Sequence, residues 1–155
     1  MSDLIESKLA ALGLTLPSAP SAGGNYVPYR INGDTLVLAG VISIRDGVLT
    51  HSGQVGGERT VKEGYAAAQM CALNSLAAIK AALGSLDRVR EFVYLGGYVN
   101  AVAGFTESPQ VINGASDLFV KLYGEAGKHA RAAVAVAGLP RGATAEIQVT
   151  VSFNR

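Results

Sequence analysis

Residues 128–155 read KHARAAVAVAGLPRGATAEIQVTVSFNR, and the two β-like runs in this stretch decide the fold. In the second run the alternation is clean. Ala145, Ile147, Val149, Val151 and Phe153 share one side, and Glu146, Gln148, Thr150 and Ser152 share the other, as expected of a strand with one buried face. The first run is built almost wholly from alanine and valine, yet it opens with Arg131. A buried guanidinium without a partner costs several kcal/mol, on the order of what a small domain can spare, so something must answer it.

Keeping valines with valines places Ala132, Val134 and Val136 on the apolar side and Arg131, Ala133 and Ala135 on the other. If the two runs form a hairpin across a four-residue loop, Gly138 to Arg141, Ala133 stands opposite Glu146. Arg131 then lies two residues along the same face, roughly 6.6 Å away. Two readings stay open. Arg131 and Glu146 pair with each other across the hairpin, or they form the cationic and anionic ends of a small niche floored by alanine methyl groups. In the second case a small carboxylate satisfies Arg131 through charge-assisted bonds of about 1.5–3 kcal/mol each and exposes its next carbon to Glu146.

Outward from this pair, the chain reads as an α+β layer with helices on one sheet face. Residues 2–12 fit a short helix capped by Ser2, with Ile5, Leu9 and Leu12 on one stripe, and residues 14–24 a connector. NYVPYRINGDTLVLAG carries two strand-like runs about Asn32-Gly33, the first placed at an edge by Pro28. Residues 45–60 read as a loop or irregular hairpin. A strong helix follows over 61–83, with Tyr65, Ala68, Ala72, Leu76, Ile79 and Leu83 inward. Then come a strand in VREFVYLGGYVN, with a bulge expected at Gly96-Gly97, and a helix opened by Ser108 and Pro109 that turns Ile112, Ala115, Phe119 and Leu122 inward. Only the N-terminal helix is left to cover the other sheet face, so a subunit partner is expected there.

The whole chain, residues 1–155, reads as a single domain: a helix and connector over 1–20 and a core over 21–155. Thirteen Lys+Arg against twelve Asp+Glu leave a charge of +1, which gives no footprint for nucleic acid or another polyanion. One cysteine, Cys71, excludes an intrachain disulfide framework and suits a reducing cytoplasm. The opening residues lack the pattern of an export signal, and Gln69, Asn74 and Lys80 interrupt the strongest apolar runs, so no membrane span is expected. With 49% hydrophobic and only 16% charged residues, a homo-oligomer is expected to bury the surplus apolar surface.

GNYVPYRINGDTLVLAG, VINGASDLFVKLY and ARAAVAVAGLPRGATAEIQV, in that order, resemble the Rid family, also called YjgF or L-PSP proteins, over residue 20 to the end. The resemblance implies a chorismate-mutase-like fold, a homotrimer with ligand clefts between subunits, and hydrolysis of reactive 2-imino acids to 2-keto acids and ammonia without a cofactor. By the same resemblance Arg131 binds the substrate carboxylate and Glu146 holds or activates the water. Tyr26, Gly40, Asn113 and Ala133 line the substrate site, Gly40 and Ala133 through their backbone groups. The chain departs from the family pattern at Ala39 and Val41, where many members have serine and glutamine, and at Ala133, where a cysteine is common. Those departures favour a second reading, a non-catalytic binder of small carboxylic metabolites. Endoribonuclease activity or inhibition of translation, also attached to family names, is disfavoured by the charge balance.

Other residues take plain readings. His51 has no second histidine or cysteine at ligand spacing, so no metal site is expected. His129 reads as a polar strand-end residue, Cys71 as core packing, and Tyr94 and Tyr98 as strand packing residues able to line a cleft.

Overall fold

The structure, a computed structural model, describes residues 3–155. Ser2, the expected cap of the first helix, lies outside them. Helix α1 spans Leu4–Ala11 and is capped by Asp3. The Asp3 carboxylate accepts from the amides of Ile5 (2.9 Å) and Glu6 (3.3 Å), and equally from Ser85 Oγ (2.5 Å) and the Leu86 amide (2.6 Å). Asp87 answers by accepting from the amides of Leu4 and Ile5. One acid thus caps α1 and ties it to the turn at 86–88. Ile5 and Leu9 are buried, while Leu12 is exposed.

Strands β1 (Tyr29–Asn32) and β2 (Thr35–Leu38) form the expected hairpin. Asn32 pairs with Thr35, so Gly33 and Asp34 make the turn, with Gly33 at φ +61°. β3 (Val41–Ile42) follows, and β4 (Ile44–Arg45) and β5 (Val48–Leu49) make a small separate hairpin in the glycine-rich segment. Helix α2, Val61–Leu83, begins at a capping box in which Thr60 and Glu63 exchange hydrogen bonds and stops at left-handed Gly84. By length and composition α2 is apolar enough to cross a membrane. Here it lies largely buried, its alanines and Cys71 against the sheet.

Next come β6 (Val89–Asn100), helix α3 (Ser108–Tyr123, with Pro109 in its first turn), β7 (Ala130–Val136) and β8 (Ala145–Phe153). The main sheet has the order β1-β2-β8-β6-β7, with β3 also on β8. Val41, Leu36, Phe92, Leu95 and the odd-numbered residues of β8 are buried beneath α2 and α3 in one core. α3 seats on β6 because residue 97 is glycine: a Cβ there would lie 2.6 Å from Ile112. α2 and α3 meet at backbone distance, since a Cβ on Gly114 would stand 2.0 Å from the Tyr65 carbonyl oxygen. Tyr65 itself is half-buried and donates to Asp117 at 2.7 Å.

Three expectations are corrected. β7 and β8 do not form a hairpin: β6 lies between them, parallel to β7 and antiparallel to β8. Gly96 and Gly97 keep regular register, and the irregularities of β6 fall between Val89 and Glu91 and between Phe92 and Tyr94. Helix α1 packs on the helical side, against α3 and the 86–88 turn, so among the described residues no helix covers the other face. Val37, Tyr94 and Val134 are exposed there.

Two outcomes test this packing. Gly114→Ala forces the two helices apart and is expected to lower stability by about 3 kcal/mol, the upper end for overpacked cores, read as a shifted urea midpoint. Asp3→Ala removes a shared cap and is expected to cost about 1–2 kcal/mol at neutral pH. Burial alone would raise the Asp3 carboxyl, but hydrogen bonds from Ser85, Asp87 and Glu6 hold it at about 2, below 3.8. Its contribution is therefore complete above pH 3.8 and fades as pH falls toward about 2. The wild-type and Asp3→Ala midpoints should converge over that window.

Candidate functional site

Because β7 runs parallel to β6 with Arg131 beside Leu95, Arg131 projects to the same sheet face as Leu95, the one α3 covers. α3 answers it with one stripe. Arg131 Nη1 donates to Asn113 Oδ1 (2.8 Å) and Ser116 Oγ (3.1 Å), and Nη2 reaches the Pro109 carbonyl at 3.4 Å. Residues 109, 113 and 116 are spaced four and three apart, so a helix presents them together. Every acceptor is neutral: among the described residues no carboxylate pairs with Arg131. The guanidinium is oriented while its charge stays uncompensated.

The Ser116 hydroxyl lies 2.9 Å from His129 Nε2, and His129 Nδ1 lies 2.8 Å from the Gly127 carbonyl oxygen. That carbonyl only accepts, so Nδ1 carries the proton and Nε2 is free to accept from Ser116. Burial, with the nearby Arg131 charge, lowers the His129 pKa and keeps the ring neutral. A relay His129–Ser116–Arg131 thereby fixes the arginine. Ala133, also on the helical side, lines a groove of about 780 Å³ with Phe105, Pro109 and Val102.

Glu146 stands elsewhere. It pairs with Ile42 of β3 and Tyr98 of β6 and projects from the face opposite the helices. Its carboxylate joins Tyr26, Gly40 and Arg141 in a cavity of about 610 Å³. Gly40 makes this possible, since a Cβ there would lie 2.7 Å from Glu146 Oε2. The carboxylate is half-buried and accepts no hydrogen bond from the described residues, and burial raises its pKa. Tyr26 is 54% exposed, its hydroxyl accepting from the Gly23 amide at 3.0 Å.

The predicted site thus divides in two. Arg131, Asn113 and Ala133 come together, and so do Tyr26, Gly40 and Glu146, but the groups occupy opposite faces of one sheet. The niche expected within a single hairpin does not form, and neither does an Arg131–Glu146 ion pair. Sequence reasoning missed Ser116, His129 and Arg141. The i, i+3 spacing of Asn113 and Ser116 was the available signal for the first, and the place of His129 two residues before Arg131 for the second; Arg141 gave none, because its partner Gly47 comes from a distant segment. Cys71 is core packing, as expected: it is buried, its thiol is 3.5 Å from the Ala145 carbonyl, and burial pushes its pKa up.

A mixed sheet with two main helices on one face is the architecture of the chorismate-mutase-like α+β proteins. Residues 6–148 match the family described as "YjgF/chorismate mutase-like, putative endoribonuclease", and the chain belongs to that family. Protein TCP17 of Trypanosoma cruzi is 44% identical over 151 residues, covering 97% of this chain and 94% of that protein. The crystal structure of Atu1372 from Agrobacterium tumefaciens superposes with a TM-score of 0.91 at 42% identity, covering 98% of this chain and 93% of the other. That of a "putative endoribonuclease" from Shewanella oneidensis MR-1 gives 0.93 at 36% identity, covering 97% and 100%.

The environment of Glu146 makes a sign-specific prediction. A carboxyl whose folded pKa is raised holds its proton more tightly when folded, so ionisation opposes folding above the unfolded pKa. Glu146→Gln should raise the melting temperature at pH 7. The gain should vanish once pH drops below the ordinary carboxylate value of 4.5, as followed by calorimetry.

Proposed function

We propose that this protein binds small 2-imino and 2-keto acids and hydrolyses reactive imines to 2-keto acids and ammonia, in clefts where Arg131 of one copy meets Glu146 of the next in a homotrimer. The observation that carries this reading is the pair of unanswered charges: an arginine oriented by neutral acceptors alone and a half-buried carboxylate that accepts no hydrogen bond. The sheet face left without a helix, with Val37, Tyr94 and Val134 exposed, supports assembly.

In the reaction, Arg131 holds the carboxylate in its two-pronged fork, its position kept by Asn113 and Ser116. Glu146 takes a proton from water as the oxygen attacks C2 and passes it to nitrogen, giving a carbinolamine. It then takes the hydroxyl proton and delivers it to nitrogen as the C–N bond breaks, so that ammonia leaves and the carbonyl forms. A carboxyl with a raised pKa suits both transfers near neutrality. Tyr26, the Gly40 backbone and the Ala133 backbone line the ligand's path, and no cofactor takes part. Binding of carboxylic metabolites without turnover is the second reading, favoured by Ala39, Val41 and Ala133 in place of polar side chains. A charge of +1 counts against ribonuclease action.

Three measurements test the reading. Light scattering should give three times the 15.9 kDa chain mass, and a monomer would remove the shared cleft. Added protein should accelerate loss of an enzymatically generated 2-imino acid. Arg131→Ala should abolish this activity and weaken 2-keto acid binding. Glu146→Gln should slow hydrolysis by about 100-fold or more, the usual worth of a general base, while keeping keto-acid binding. Saturable binding by the wild type with no turnover selects the second reading.

A further inference from the structure

Arg141 is the one residue of the Glu146 cavity whose charge the proposed reaction leaves without a role. It lies in the Pro140–Gly142 turn at φ +59°, ψ 12°, followed by Gly142 at φ +74°. Few residues other than glycine, asparagine and aspartate adopt this left-handed backbone readily. The turn folds the chain back so that Arg141 Nη1 donates to the Gly47 carbonyl at 3.2 Å, bridging to the β4–β5 hairpin. That bond uses one of the five guanidinium N–H groups, and among the described residues no carboxylate pairs with the others.

Two acids are close enough in the fold to have served. Glu146 lines the same cavity, and Asp46 lines an adjoining one of about 400 Å³ that Arg141 also borders. Neither makes an ion pair with it. Asp46 is engaged by the Ser18 amide at 2.8 Å, and Glu146 lies against Gly40. A cation and an anion therefore face one cavity without closing on each other. The combined space is of the size that holds a small organic ligand.

We propose that Arg141 binds a second anionic group of the ligand, so that the preferred substrates are dicarboxylic: imino or keto acids with a carboxylate on the side chain as well as at C1. This rests on the reading above, in which Arg131 of the neighbouring copy takes the first carboxylate. The planar guanidinium fork matches a carboxylate, and the tether to Gly47 orders it before the ligand arrives.

Calorimetric titration with 2-oxobutyrate and 2-oxoglutarate, probes that differ by the distal carboxylate, tests the proposal on the assembled wild type and on Arg141→Ala, Arg141→Gln and Arg131→Ala. The wild type should bind 2-oxoglutarate about tenfold more tightly, which corresponds to one charge-assisted bond. Both Arg141 variants should bring that ratio to about one. Arg131→Ala should weaken both ligands. The proposal is overturned if the wild type shows no preference, or if either folded Arg141 variant keeps it. If neither acid binds the wild type, this proposal and the functional reading fall together. If 2-oxoglutarate binds through Arg141 while Arg131→Ala changes nothing and no imine is hydrolysed, the Arg141 subsite stands and the reading of Arg131 and Glu146 falls.

Discussion

The arrangement of this molecule depends on one constraint: β7 runs parallel to β6. An antiparallel neighbour is reached by a tight turn, but a parallel one needs a crossover, and α3 is that crossover. Its docking is set by Gly97, where any side chain would collide with Ile112. With α3 seated there, Pro109, Asn113 and Ser116 lie above the start of β7 and receive Arg131. The insertion of β6 between β7 and β8 also separates Arg131 from Glu146, and the charges that a hairpin would have neutralised remain available.

Much of the fold was legible from local signals. α2 matches its expected limits, 61–83, because a capping box and a left-handed glycine mark its ends and a buried stripe of alanine and leucine runs between them. β8 was legible because Glu146, Gln148 and Thr150 alternate with residues buried to 0% exposure, and a shifted register would bury the acid. α3 shows its stripe plainly, and it begins at Ser108, with Pro109 in its first turn.

β7 was not legible, and its composition explains why. Alternation fixes a strand's faces only when the two sides differ, and here both sides carry small apolar residues. Valines were assigned inward by size. In the fold Val134 is 47% exposed on the open face, while Ala133 packs toward the core. The helix side must leave room for Arg131 and the α3 stripe, so alanine is the residue that fits. Strand pairing was equally hidden. The Gly138–Arg141 segment has the length of a hairpin loop, yet Arg141 and Gly142 both adopt left-handed backbone and carry the chain past β6 to its far side. For the candidate site, the grouping of the residues was not readable, because grouping depends on which strand lies between them.

The division of charges has a consequence for assembly. A two-fold contact joins one surface patch to the same patch on its partner. Arg131 and Glu146 project from opposite faces of the sheet, so no single patch presents both, and a symmetric dimer cannot bring each arginine to an acid. A head-to-tail contact joins different patches and uses every copy identically, and it ends in a ring when the rotation closes. The proposed trimer is the smallest such ring beyond a pair, with as many clefts as copies. In the proposed trimer each cleft brings one guanidinium and one carboxylate together, and a small carboxylate entering between them answers the arginine. The proposed reading depends on the charge separation imposed by β6, which leaves Arg131 without an acid from its own copy.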